Sequence, residues 1–514
     1  MKPASPAGAT LAARGPVSDT PRNRGVVSPG RPTGTFALMA RKQWLLVGLA
    51  AVLTACSGPG GTPGDPPAAI EGAWQSTGYG YVFDIARDGA GKTRLTSYDR
   101  TSGSCLGGDS LTPVGREGDA TSFGEDGEAE LVVRRRGDQL IVQEPGAVGH
   151  IRMSRLEELP DCPSAVSGNA ADRRLQAFDV FWQNLAEHYP PYPHRKLDGS
   201  GRERDRAALA ENNTDRMLGK LLGDTVRELG DMHTGVEGED LSLYGRRPGT
   251  RESDDMDTDA LRPAIEARLG KKLEPVIDDK VEYAGGLPGH LGYLRITQFD
   301  DFADESYDVD RKKFGQALDT VFAVAERDGW RGLVLDLRLN HGGFDGLSLA
   351  LASRLTDTSH FAFQKRARST REASGFTPYE KLRVSPSDRP GFHGPIALLV
   401  SDLTVSAGET AVMALLNRSP KPVLIGRPTQ GVFSDQLSRT LPNGWSLDLG
   451  NEDYRNAAGE SFEGRGIPVP REFRTPVFTA TEIGRRCDAA IARALDHLAD
   501  NPPGTTPSCP RGST

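Results

Sequence analysis

The chain has 514 residues, 37% of them hydrophobic and 26% charged, with 60 glycines and 36 prolines. Its length suits about two to four domains, and its Gly and Pro content calls for long loops. A formal net charge of −8, with no Lys or Arg run long enough to suggest otherwise, argues against a nucleic-acid partner.

Residues 1–38 are rich in Pro, Gly, Ala, Ser and Arg and lack apolar periodicity, so they read as a disordered or upstream extension. Met39 is the better start. Arg41 and Lys42 precede an apolar run from Trp44 to Leu53 that is too short for a permanent membrane span. The run ends in Leu53-Thr54-Ala55-Cys56, which looks like a lipobox. On this reading 1–55 is removed, Cys56 is lipidated, and the protein is an exported, membrane-anchored lipoprotein, periplasmic or outer-membrane in a Gram-negative cell. Residues 56–69 form a flexible tether. Export implies an oxidising compartment. The remaining cysteines fall into an N-terminal pair, Cys105 and Cys162, and a C-terminal pair, Cys487 and Cys509. Four cysteines allow three connectivities, and these two pairings are the expected ones. Neither CxxC nor HExxH occurs, so no metal site is expected.

Residues 70–165 carry short alternating runs, such as Tyr81-Val82-Phe83-Asp84-Ile85, between Gly/Asp turns, and predict a small β sandwich or barrel. Helical spacing follows over 170–235, with a second helix at about 214–229. Residues 237–283 are charged, Gly-rich and weakly patterned. From 285 to 500 strands and helices alternate: strands at 291–296, 332–337, 395–401 and 422–426, helices at 314–327, 347–355 and 406–416. This is a βαβ series, hence an α/β core. An antiparallel strand at 445–449, a terminal amphipathic helix at 487–498 and a tail over 501–514 complete it.

Four segments offer chemistry. In Ser401-Asp402-Leu403-Thr404-Val405-Ser406-Ala407-Gly408-Glu409 a buried strand turns into a helix, placing Ser406 at the helix N-terminus. Free N–H groups there suit an oxyanion, although most serines in that position only cap the helix. Leu335-Asp336-Leu337-Arg338-Leu339-Asn340-His341-Gly342-Gly343 ends a second buried strand in a Gly pair, where the backbone can approach a ligand closely. Asp231-Met232-His233-Thr234-Gly235 puts a histidine in a Gly-flanked loop, and Glu463-Gly464-Arg465-Gly466-Ile467-Pro468 offers a loop carboxylate. Taken singly, the last two read as solvated surface groups.

Together, and in this order, these blocks resemble the tail-specific (C-terminal processing) serine peptidase family over roughly 170–500. The block Ile425 to Gly431 adds a fifth match. The resemblance implies a ClpP/crotonase-like core with a helical subdomain. One branch of the family uses a lysine in the block at 429–432, where this chain has Val432. The tricorn-like branch uses histidine instead. By that resemblance Ser406 is the nucleophile, His233 the general base and Glu463 the acidic partner. Gly343 and Ala407, with Gly342 as a further candidate, supply oxyanion N–H groups. No cofactor is implied, and the substrates are polypeptides. In that branch a helper serine precedes the histidine, and here Met232 stands in its place. The family's peptide-binding PDZ module does not fit between His233 and Leu291. Both departures keep open a second reading, a catalytically inactive peptidase-like lipoprotein that binds peptides or apolar ligands.

Overall fold

The computed structural model describes residues 68–162, 167–252, 256, 258–303 and 306–499. The signal segment, Cys56 and Cys509 lie outside the described residues.

Eight strands form a closed antiparallel barrel, β1 to β8: Gly72–Ser76, Tyr81–Arg87, Thr93–Arg100, Cys105–Glu117, Ala120–Glu125, Glu128–Arg136, Gln139–Gln143 and Ile151–Arg155. Inward residues alternate with outward ones, so Trp74, Phe83, Ile85, Leu95, Phe123, Val133 and Val142 fill a single interior. The barrel settles the choice left open between sandwich and barrel. Cys105 and Cys162 are disulfide-bonded, as expected, which ties β4 to the chain leaving β8.

Three helices follow: α1 (Ala170–His188), α2 (Arg202–Glu211) and α3 (Asp215–Leu229). Asn169 and Asp172 form a capping box at the start of α1. Thr214 caps α3, and Gly230 ends it at φ +62°. Their apolar faces meet through Phe178, Phe181, Leu185, Leu218, Leu222 and Val226. The stretch read as weakly patterned holds β9 (Gly235–Gly238), β10 (Leu241–Tyr244), α4 (Thr258–Leu269), β11 (Glu274–Ile277) and β12 (Val281–Leu287). These strands are too short to show a period, and Pro263 interrupts the helical pattern of α4.

Next come β13 (Leu291–Ile296), α5 (Tyr307–Arg327), β14 (Gly332–Asp336), α6 (Asp345–Arg354), β15 (His360–Ala367), β16 (Glu380–Val384), β17 (Ile396–Val400), α7 (Ala407–Leu415) and β18 (Val423–Gly426). After them are β19 (Gln436–Thr440), β20 (Ser446–Gly450), β21 (Glu452–Arg455), α8 (Ala480–Arg485) and α9 (Ala489–Leu498). Helix α5 begins earlier than its apolar pattern suggests, because its first turns are polar. The central sheet runs β11-β12-β13-β14-β17-β18, and the pairs β13–β14, β14–β17 and β17–β18 are parallel. Helices α5, α6 and α7 cover one face and α4 and α9 the other. Burial on both sides explains the unbroken apolar runs of β14 and β17. Arg338, fully buried, pairs with Asp336 and with Asp488 at the start of α9, locking that helix onto the sheet. Cys487 is disulfide-bonded. Among the described residues no helix is long and apolar enough to cross a membrane.

Candidate active site

Two adjacent parallel strands, β14 and β17, deliver the Gly pair and Ser406 side by side at their carboxyl ends, where ligands of open α/β sheets bind. Ser406 sits at φ +54°, ψ −122°, a backbone conformation that L residues avoid. Its hydroxyl does not cap α7. The strain is held by hydrogen bonds on both sides. Ser406 N–H donates to the Val432 carbonyl at 3.0 Å, and Val405 N–H to the Asn340 carbonyl at 2.9 Å. Asn340 also donates through Nδ2 to the Ile296 carbonyl at 3.1 Å and accepts from Gly342 N–H at 3.1 Å, so its side chain stitches β13 to the glycine turn.

Gly342 and Gly343 lie at φ +98° and +117°. A Cβ on Gly342 would stand 2.7 Å from Ser406 Cβ, so only glycine leaves room for that side chain. The Gly342 N–H, expected as a further oxyanion donor, is instead taken up by Asn340. The Gly343 N–H has no acceptor among the described residues, because the bridge to Phe299 uses its neighbours: Phe299 N–H donates to the Gly342 carbonyl and Phe344 N–H to the Phe299 carbonyl. The Ala407 N–H, the first of α7, likewise has none. Two free donors therefore flank the serine.

His233 is 2% exposed in the loop between α3 and β9. Its own N–H donates to Asp231 Oδ1 at 2.9 Å, and its ring makes a backbone hydrogen bond to Ser434. Burial holds its pKa below the usual imidazole range, while the charges of Asp231 and Asp435 pull upward. Ser406 and His233 thus meet the same wall, residues 430–435, two residues apart.

That wall is clamped by two buried carboxylates. Glu409 accepts from the N–H groups of Gly431 at 2.8 Å and Val432 at 2.7 Å, and burial pushes its pKa up to about 7. Glu463 accepts from Phe433 N–H at 3.0 Å and from Arg195 at 3.1 Å. Burial raises its pKa, and the Arg195 charge opposes the rise. Glu463 hydrogen-bonds neither Ser406 nor His233. Arg195 also donates to the Gly431 carbonyl at 2.7 Å and pairs with Asp231 at 3.6 Å, and Tyr189 OH donates to Asp231 at 2.8 Å. Met232, where the helper serine would stand, accepts from Gln430 through Sδ at 2.7 Å. Val432 is 1% exposed and carries no base.

Arg195, Asp435 and the clamping role of Glu409 were not legible in sequence. Arg195 lies in a Pro- and Tyr-rich loop with the look of a surface turn. Only the position of Glu409 beside Ser406 could have drawn attention to it.

Residues 290–469 match the sequence profile of peptidase family S41. That span contains Ser406, Glu463 and the Gly pair, and His233 lies before it. A carboxy-terminal-processing protease of Bartonella bacilliformis is 25% identical over 277 residues, covering 52% of this chain and 56% of that protein. A carboxyl-terminal-processing protease of Synechocystis is 26% identical over 212 residues, covering 41% and 44%. The chain thus spans about half the length of these curated relatives. Among solved structures, a candidate peptidase from Parabacteroides merdae superposes with a TM-score of 0.53 at 21% identity, over 63% of this chain and 96% of that one, a likeness of fold.

Proposed function

From its peptidase family S41 domain, we propose that this chain hydrolyses peptide bonds in polypeptide substrates by a serine mechanism of the tricorn-like kind. Ser406 Oγ attacks the carbonyl carbon, and His233 takes the hydroxyl proton. The N–H groups of Gly343 and Ala407 hold the oxyanion. Collapse breaks the C–N bond, and His233 returns the proton to the leaving amine. Water then repeats the attack, releases the acid and restores the serine. Glu463 acts through Arg195 and the Phe433 N–H, keeping the wall between serine and histidine in place. No cofactor is needed. The alternation of β13, β14, β17 and β18 with α5, α6 and α7 supports a ClpP/crotonase-like core. We place the protein at the cell envelope, exported and anchored through a lipidated Cys56.

The observation that carries this reading is the strained Ser406, which caps nothing and lies between two unengaged N–H groups. Met232, standing where the helper serine is expected, favours the second reading, a silent domain that binds peptides. A fluorophosphonate probe decides between them. Labelling of the wild type, abolished in Ser406→Ala and His233→Ala, is expected. A folded wild type that takes no label would favour the silent binder.

A further inference from the structure

The barrel has no part in the chemistry above, yet its first turn reaches the surroundings of His233. Gly78, Tyr79 and Gly80 follow one another at φ +73°, +59° and +71°. Glycine adopts this region freely and tyrosine only at a cost, and the turn is packed against neighbouring elements. A Cβ on Gly78 would lie 3.1 Å from the Arg368 carbonyl, and one on Gly80 2.6 Å from His188 Nε2. The Arg439 guanidinium donates to the Tyr79 carbonyl and pairs with Asp99 of β3 at 3.1 Å. The barrel strand β3, α1, the end of β15 with Arg368 just beyond it, and β19 all pack around this turn.

The result is a hydroxyl delivered to a buried charge cluster. Tyr79 OH donates to Glu452 Oε1 at 2.6 Å. Lys365 Nζ donates to Glu452 Oε2 at 3.1 Å and to Asp435 Oδ2 at 2.7 Å, and Lys365 is only 3% exposed. Asp435 shares a hydrogen bond with Glu452, and its charge acts on His233. The backbone N–H groups of Asn451 and Glu452 donate to Ser434 Oγ at 2.9 and 3.0 Å. Ser434 is the residue whose backbone engages the His233 ring. A second barrel group, Glu144, also couples electrostatically to Asp435.

We infer that Tyr79, supplied by the barrel, is a positioning residue for His233, acting through Glu452, Lys365 and Asp435. The inference rests on the serine-peptidase reading. It makes the barrel an integral part of the active centre.

The charged groups facing His233 are Asp231 on its own loop, Asp435 before β19 and Arg195 after α1. Without its donor Glu452 binds a proton more readily, and the cluster loses negative charge. The imidazolium that forms during attack is then less favoured, so the reaction slows and the acid limb moves to lower pH. The test is the fluorophosphonate labelling rate of the full-length protein against pH, for wild type, Tyr79→Phe, Glu452→Gln and the double variant. Tyr79→Phe is expected to label roughly tenfold more slowly, the worth of one charge-assisted hydrogen bond, with its acid limb shifted downward. Glu452→Gln should shift the limb the same way, and the double variant should be no slower than Glu452→Gln alone. Wild-type labelling rates and an unmoved acid limb in both single variants, whatever their thermal stability, would overturn the inference. Should Tyr79→Phe fail to fold, Glu452→Gln carries the same test. An unlabelled wild type would instead bring down the serine reading, and this inference with it.

Discussion

Gly342→Ala tests the geometry around Ser406 most directly. The new Cβ would lie 2.7 Å from Ser406 Cβ and 3.2 Å from the Val405 carbonyl, where ordinary contacts begin at 3.4 Å. The serine or the glycine turn must therefore give way by roughly 1 Å, a displacement that can cost about 100-fold when it moves a reacting atom. That corresponds to about 2.7 kcal/mol of lost transition-state stabilisation. Alanine at φ +98° adds strain of about 1–2 kcal/mol to the folded state. The assay pairs the fluorophosphonate labelling rate with urea unfolding. Labelling should fall about 100-fold, while stability falls by about 1–3 kcal/mol. Gly315→Ala is the control. It lies on α5 with nothing within 4 Å of its Cβ position, so it should label normally and gain up to about 1 kcal/mol. If Gly342→Ala labels within about threefold of the wild type, under about 0.7 kcal/mol, the serine is not seated against this glycine as a nucleophile.

Four further outcomes are expected. Because burial lowers the His233 pKa, the imidazole stays neutral below its usual value of about 6.5, and labelling should be half-maximal beneath that pH. The same depression contributes stability that is present above about pH 6.5 and lost as pH falls through the folded pKa; an acid limb above that value would contradict the burial argument. Arg195→Met leaves Asp231 and Glu463 buried without their cation and should destabilise by about 3–5 kcal/mol in urea unfolding; a loss under about 1 kcal/mol would show that the cluster relaxes by taking up protons. Burial, helped by the charges of Asp301 and Asp310, raises Asp300 to about 8, so its contribution to stability is full below about pH 4 and disappears as pH rises through 8; Asp300→Asn should flatten urea stability measured between about pH 5 and 9, and an unchanged slope would refute the assignment. Cys56→Ser in a bacterial host should abolish incorporation of labelled palmitate and release the protein from the membrane fraction; retained label would remove the lipoprotein proposal.

The strands of the central sheet were legible because parallel strands buried on both faces leave continuous apolar runs, as in Leu333-Val334-Leu335 and Ala397-Leu398-Leu399. Helix α3 announced itself through its apolar stripe, and the structure bounds it with the Thr214 cap and Gly230. The Gly pair and Ser406 were visible as strand-ending motifs. What remained hidden were elements defined by partners far along the chain. Strand β9 pairs with β20 through Val236 and Leu447, and β15 pairs with β21 through Lys365 and Tyr454. β9 has only four residues, and β15 puts the charged Lys365 at a buried position, so neither shows an apolar alternation.

The same divide separates the site from its support. Local patterning brought out Ser406 and the glycines as strand-ending motifs, because hydrophobic periodicity and turn residues report on a few neighbouring positions, whereas His233 stood out only through the resemblance to the tail-specific peptidases. Nothing in their local sequence singled out Arg195, Lys365, Glu452 or Asp435. Only the folded chain, by returning 429–435 and 451–454 to the core and by threading the Gly78–Gly80 turn of the barrel beneath them, turns those charges into a buried and mutually satisfied network. A charge can be buried only where its counter-charge arrives. That arrival depends on tertiary pairing between distant segments, which no local stretch of sequence records.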